Sequence, residues 1–192
     1  EAEKDYQLAS GISESVESDD SVWVLTRARL PWLLIGLLGG VLVAQVIGIF
    51  EETLAEVAKL MVFVPLIAAM AGNVGVQSSA IVVQGLANKS LSSGGILQKL
   101  AKEIAVALLN GAICGAAILG YSALFMNSMA LSYTVGIALF SVIIIAALFG
   151  TLVPLVLDKV KIDPALATGP FITTMNDIIG LSVYFLYAKL FF

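Results

Sequence analysis

Five runs of apolar residues, each roughly twenty long, alternate with short polar stretches along the chain, at about residues 31–50, 60–86, 104–127, 134–157 and 164–190. About twenty apolar residues at 1.5 Å of rise cross a ~30 Å hydrocarbon layer. The pattern predicts an all-α polytopic membrane protein with five transmembrane helices. It divides the chain into an acidic connector, residues 1–29, and a membrane domain, residues 30–192. Pro31 is expected at the start of the first span, where a missing N–H is tolerated. Within that span Gly36, Gly40, Ala44 and Gly48 recur every four residues, a small-residue stripe that predicts close helix contact.

The second run carries Asn73, Gln77 and Gln84 on one helical face, beside a small face of Ala68, Gly72, Gly75 and Ser79. An amide face there either bonds neighbouring helices or lines a pore, and Pro65 is expected to kink the helix or open its ladder. In the third run Ala107, Gly111 and Gly115 repeat the four-residue spacing, with Asn110 beside them.

The fifth run holds one carboxylate, Asp177, inside an otherwise uncharged stretch. It lies roughly 20 Å from either polar end if the run is a continuous helix. A charge at membrane depth costs about 3 kcal/mol even on the lenient insertion scale, so such residues face a bundle interior or a water-filled path. Helical spacing places Thr173, Thr174, Gly169 and Pro170 on the preceding turns. Pro170 gives no N–H to the carbonyl of Leu166, so freed carbonyls, two hydroxyls and the carboxylate make an oxygen-rich face. Hard cations take oxygen ligands, and Mg²⁺ keeps much of its water shell, so one carboxylate plus hydrogen-bonding oxygens suits a hydrated ion. The alternative is a neutral acid bonded to a neighbouring helix.

Composition narrows the chemistry. The chain is 59% hydrophobic and 12% charged, and His is absent. The single Cys114 sits in an apolar run, so no disulfide framework, zinc cluster or Cys/His catalytic pair is expected, and Cys114 reads as packing. Basic residues are few and not interleaved with aromatics, which argues against nucleic-acid binding. Residues 1–20 hold seven acids against Lys4 and read as a solvated connector or as a cation-attracting mouth. With no basic n-region before a short apolar core, no signal peptide is expected, and the native protein is expected to continue N-terminally. Arg27, Arg29, Lys89, Lys99, Lys102, Lys159 and Lys161 fall on one side of the five crossings, against Lys59 and Lys189 on the other. The positive-inside rule then makes the N-terminus cytoplasmic and the C-terminus external. Glu51, Glu52 and Glu56 face the exterior as a solvated loop or a cation-attracting patch. Asp163 would stand at the cytoplasmic mouth, as a second cation site or as negative charge complementing a helix N-terminus.

Three segments resemble the transmembrane domain of the MgtE magnesium channel/transporter family: RLPWLLIGLLGG in the first span, PLIAAMAGNVGVQSSAIVVQGL in the second and DPALATGPFITTMNDIIGLSVYF in the fifth. EAEKDYQLASGI resembles the end of the connecting helix that precedes that domain. The resemblance covers Arg29 to Phe192. It implies a homodimer with five helices per subunit in the cell (inner) membrane, and an axial cation pore lined by the second and fifth helices. It also implies cytoplasmic regulatory domains, a helical N domain and a CBS pair, which lie outside this sequence and close the pore at high internal Mg²⁺. Asp177 matches the pore aspartate that holds hydrated Mg²⁺, with Thr173 and Gly169 near it and Thr174, Asn73 and Gln77 lining the pore. The sequence departs from the family where Gly169 replaces an Asn eight residues before that aspartate. That bears on the side-chain share of coordination and on preference for Mg²⁺ over Ca²⁺ or Mn²⁺.

The residues support the two-fold arrangement separately. A lone membrane carboxylate with no basic partner in any span is explained if an axis brings a second Asp177 across a shared divalent cation. Such a pair predicts conduction that falls at low pH. Three other classes remain: a proton- or sodium-coupled carrier, an intramembrane enzyme, and a non-conducting membrane scaffold. The enzyme lacks a second carboxylate or a His or Cys partner at that depth, and the chain is read as no enzyme.

Overall fold

The computed structural model describes residues 2–88 and 96–192, and among them there is no strand. The helices are α1 (Ala2–Ala9), α2 (Val22–Ile49), α3 (Glu51–Glu56), α4 (Val64–Ala87), α5 (Ile96–Phe125), α6 (Met129–Lys159) and α7 (Pro170–Phe191). Short 3-10 turns, Ala58–Phe63 and Pro164–Ala167, lead into α4 and towards α7. Five stretches are long and apolar enough to cross a membrane: Val22–Ile49, Ala58–Ala87, Gln98–Phe125, Met129–Lys159 and Pro170–Phe191. The chain is an all-α polytopic membrane protein. Lys89, counted above for orientation, and the rest of residues 89–95 lie outside the described residues.

The helix ends differ from the sequence reading, and each difference has a local cause. α2 starts at Val22 because Ser21 caps it, its hydroxyl accepting the Val24 N–H at 3.5 Å. Pro31 therefore lies inside the helix, with its ring on an exposed face, rather than at its start. Pro65 neither kinks α4 nor opens its ladder. It stands in the first turn, where the missing N–H has no helical acceptor to lose. The fifth run is broken: Gly169 adopts φ 64°, ψ −131°, a region almost closed to residues with a Cβ, and α7 begins at Pro170. α5 begins at Ile96, earlier than its apolar run, and carries Lys99, Lys102 and Glu103 in its first turns.

Three helices form the centre. α4, α6 and α7 meet at Gly75, where a Cβ would run into the Asn176 amide and lie 2.7 Å from Ile172 of α7. A Cβ on Gly150 of α6 would run into the Gly75 carbonyl from the other side. Towards the α2–α4 connection, Ile67, Leu139, Ile143, Leu181 and Phe185 fill the core, and the buried Tyr184 hydroxyl donates to the Leu60 carbonyl at 2.9 Å. Cys114 packs against this core, half-buried. α5 joins through α6: a Cβ on Gly115 would lie 2.9 Å from the Gly136 carbonyl oxygen, and one on Gly111 would lie 3.1 Å from the Phe140 ring. The small-residue spacing of the third run is thus a helix contact within the chain.

The stripe of the first run is not. Among the described residues, nothing lies within 4 Å of a Cβ added to Gly36, Gly40 or Gly48, and Ala44 is exposed. α2 leans on α7 instead through Gly39, one position off the stripe, and only Ala28 and Gly39 of its length are buried. The acidic connector is also more ordered than a solvated linker. Gln7 brackets Val16, its amide donating to the Val16 carbonyl at 2.8 Å and accepting the Val16 N–H at 3.2 Å. The Ser13 N–H donates to the Ala28 carbonyl at 2.8 Å, and Arg27 pairs with Glu14 at 3.2 Å.

Candidate cation site

α7 and α4 lie side by side with small residues between them. Gly72 of α4 leaves room for α7 to approach, since a Cβ there would meet the Thr173 methyl at 3.0 Å and Asp177 Oδ1 at 3.8 Å. The result is a cleft of about 450 Å³ lined by Gly72, Asn73, Val76, Gln77, Thr173 and Asp177, with Ala68 and Ala69 at one end. Asn73 and Gln77 are exposed and Asp177 is half-buried, so the cleft lies on the outer face of the subunit. Four residues singled out from the sequence, Asp177, Thr173, Asn73 and Gln77, therefore share one site.

The others stand apart from it. Thr174 points at α2, where a Cβ on Gly39 would collide with its methyl, and it does not line the cleft. Neighbouring helical residues point about 100° apart, so Thr173 turns to the cleft and Thr174 to α2. Gly169 caps α7, and its carbonyl already accepts the Thr173 N–H and the Thr173 hydroxyl, each at 3.0 Å. Its Cα is covered by the Ala9 carbonyl of the connector. Asp163 is exposed and accepts the Ala165 N–H at 2.9 Å, capping the 3-10 turn.

Because α7 starts at Pro170, Asp177 lies about 10 Å along the helix from its first residue and about 21 Å from Phe191. The carboxylate is therefore nearer the Pro170 end of α7 than the Phe191 end. Among the described residues no three His, Cys, Asp or Glu side chains come together. A single subunit thus offers one carboxylate, a hydroxyl and amide oxygens in an open cleft, a donor set for an ion that retains its waters rather than one stripped of them. Six waters at ~30 Å³ each would take up less than half of the cleft.

One acid escaped the sequence reading. Glu103 of α5 reaches α4, accepting a hydrogen bond of 2.5 Å from the Ser78 hydroxyl. It is the one acidic residue between Glu56 and Asp158, and that isolation was the available signal.

A model of the MgtE family, described as a divalent cation transporter, matches residues 64–187. Relatives named magnesium transporter MgtE come from Bacillus subtilis, 35% identical over 96% of this chain, and Enterococcus faecalis, 34% identical over 100% of it. A third, from Thermus thermophilus, is 30% identical over 95% of the chain. The chain spans about two-fifths of the length of these relatives, 41%, 42% and 40% respectively. With the matched segment running from the start of α4 almost to the end of α7 and enclosing the Asp177 cleft, the chain belongs to the MgtE family of divalent cation transporters.

Proposed function

We propose that this chain forms the conducting part of a homodimeric Mg²⁺ channel or transporter, in which two Asp177 clefts face each other across a two-fold axis and hold one hydrated ion. The observation that carries the reading is the placement of Asp177, Thr173, Asn73 and Gln77 in one cleft that opens away from the subunit's own core. Two carboxylates balance a divalent charge, and amide and hydroxyl oxygens accept hydrogen bonds from the ion's waters, so the ion need not shed its shell. Family membership and the name of the relatives support Mg²⁺ as the cargo. Ca²⁺ and Mn²⁺ compete for the same oxygen ligands, and the backbone role of Gly169 leaves Thr173 as the polar side chain of α7 that shares the cleft with Asp177.

In the proposed orientation the N-terminus is cytoplasmic and the ion moves inward. Residues 1–29 then connect to the cytoplasmic regulatory domains proposed for the whole protein, and Asp163 lies near the inner mouth. The test is Mg²⁺ uptake into vesicles by wild type and Asp177→Asn, which keeps the shape and removes the charge. Uptake is expected to fall at least about tenfold, the equivalent of roughly 1.4 kcal/mol. An unchanged rate overturns the proposal, and flux tied to a fixed proton or sodium stoichiometry replaces the channel with a carrier.

A further inference from the structure

We propose that the groove between α4 and α5 holds a glycerophospholipid whose headgroup carries both a phosphate and a primary ammonium. The two helices flank a cavity of about 650 Å³ floored by α6, within the ~300–1,000 Å³ of small-molecule sites. It runs from Gly85 to Val74 along α4, about 16 Å, which is close to the ~15 Å of one hydrocarbon leaflet. Its chemistry is graded along that length. Gln98, Lys99, Lys102 and Glu103 lie at one end, in the first turns of α5, and among the described residues no charged side chain lines the rest. The walls below are mainly Val74, Ile81, Val82, Val106 and Ile143, with the uncharged amides of Gln77, shared with the cation cleft, and Asn110 among them; Ile81 and Val106 are exposed at the rim, where the surrounding lipid meets the groove.

An amphiphile matches this gradient, and the charges select its head. Two ammonium groups beside one carboxylate complement a phosphate next to an ammonium, and basic pockets between membrane helices are known headgroup sites. Ser78 takes up one of the lone-pair sites of the Glu103 carboxyl group, leaving others for a primary ammonium with three N–H donors. A trimethylammonium head offers no such donor, and a head with no ammonium brings no positive charge of its own to Glu103. Thr151 adds a second pointer. It lines the cavity on α6 next to Gly150, whose Cα abuts Ser78, and its hydroxyl is buried with no partner among the described residues. An acyl ester carbonyl at that level accepts its proton.

The measurement is native mass spectrometry of the full-length protein released from bilayers containing equal amounts of phosphatidylethanolamine, phosphatidylcholine and phosphatidylglycerol with identical acyl chains. The wild type is expected to retain the ethanolamine lipid at least about fivefold over the choline lipid. Glu103→Gln should bring that ratio to within about twofold, and the exposed Lys102→Gln should lower retention of all three. Equal retention by the wild type, or an unchanged ethanolamine preference in Glu103→Gln, overturns the proposal. So does disulfide capture of a second copy of the chain by both Ile81→Cys and Val106→Cys, which would mean that protein fills the groove. Thermal melting of each variant separates loss of lipid from loss of fold.

Discussion

At the scale of single residues, the cleft depends on which side of a helix each polar group takes. Asp177 was legible because no other charge lies between Asp163 and Lys189, and Asn73 and Gln77 because a four-residue spacing keeps them in line. The choice between Thr173 and Thr174 was not legible, since it is set by where α2 packs, a tertiary fact that no local spacing carries. Glu103 was missed because the lysines beside it read as loop, whereas helix α5 extends past its apolar run to include them. The contact that turns Thr174 away predicts its own reversal. Gly39→Ala should destabilise the chain by about 1–3 kcal/mol through overpacking against the Thr174 methyl. Thr174→Ser, which removes that methyl, should recover much of the loss when the two are combined in thermal unfolding.

At the scale of elements, the five helices followed from hydrophobic runs, but their ends followed from capping and proline chemistry that the runs conceal. Pro65, Pro164 and Pro170 all stand in first turns, where a residue with fixed φ and no N–H starts a helix instead of bending one. The glycine stripes of α2 and α5 look alike in sequence and have different fates, since only the second meets another helix of the same chain. Gly111→Leu should therefore cost about 1–3 kcal/mol against the Phe140 ring. Gly40→Leu, with nothing within 4 Å, should leave the melting of the isolated subunit in detergent within about 0.5 kcal/mol of wild type. Equal losses in both would place a neighbour on α2 that the subunit alone does not supply.

At the scale of the whole molecule, the connector and the membrane helices are one structure. The Ala9 carbonyl occupies the space where Gly169 would carry a Cβ, and Gly11 lies against the Pro170 ring, with its own added Cβ 2.7 Å away. Neither contact was legible, because an acidic, weakly periodic stretch reads as linker until the surface it rests on is known. Gly169→Ala combines a forbidden backbone angle with this collision, so it is expected to unseat the connector. Amide hydrogen exchange should show Ser13 and Val16 losing protection, while amides in the middle of α6 keep theirs.

The meeting of three helices at Gly75 constrains how any passage along α4 widens. Turning α4 by one position, about 100°, would bring Val74 or Val76 into a space that admits only a bare backbone. The central trio is keyed against spinning and must tilt as a block. The freedom to breathe is left to α2, of which only Ala28 and Gly39 are buried.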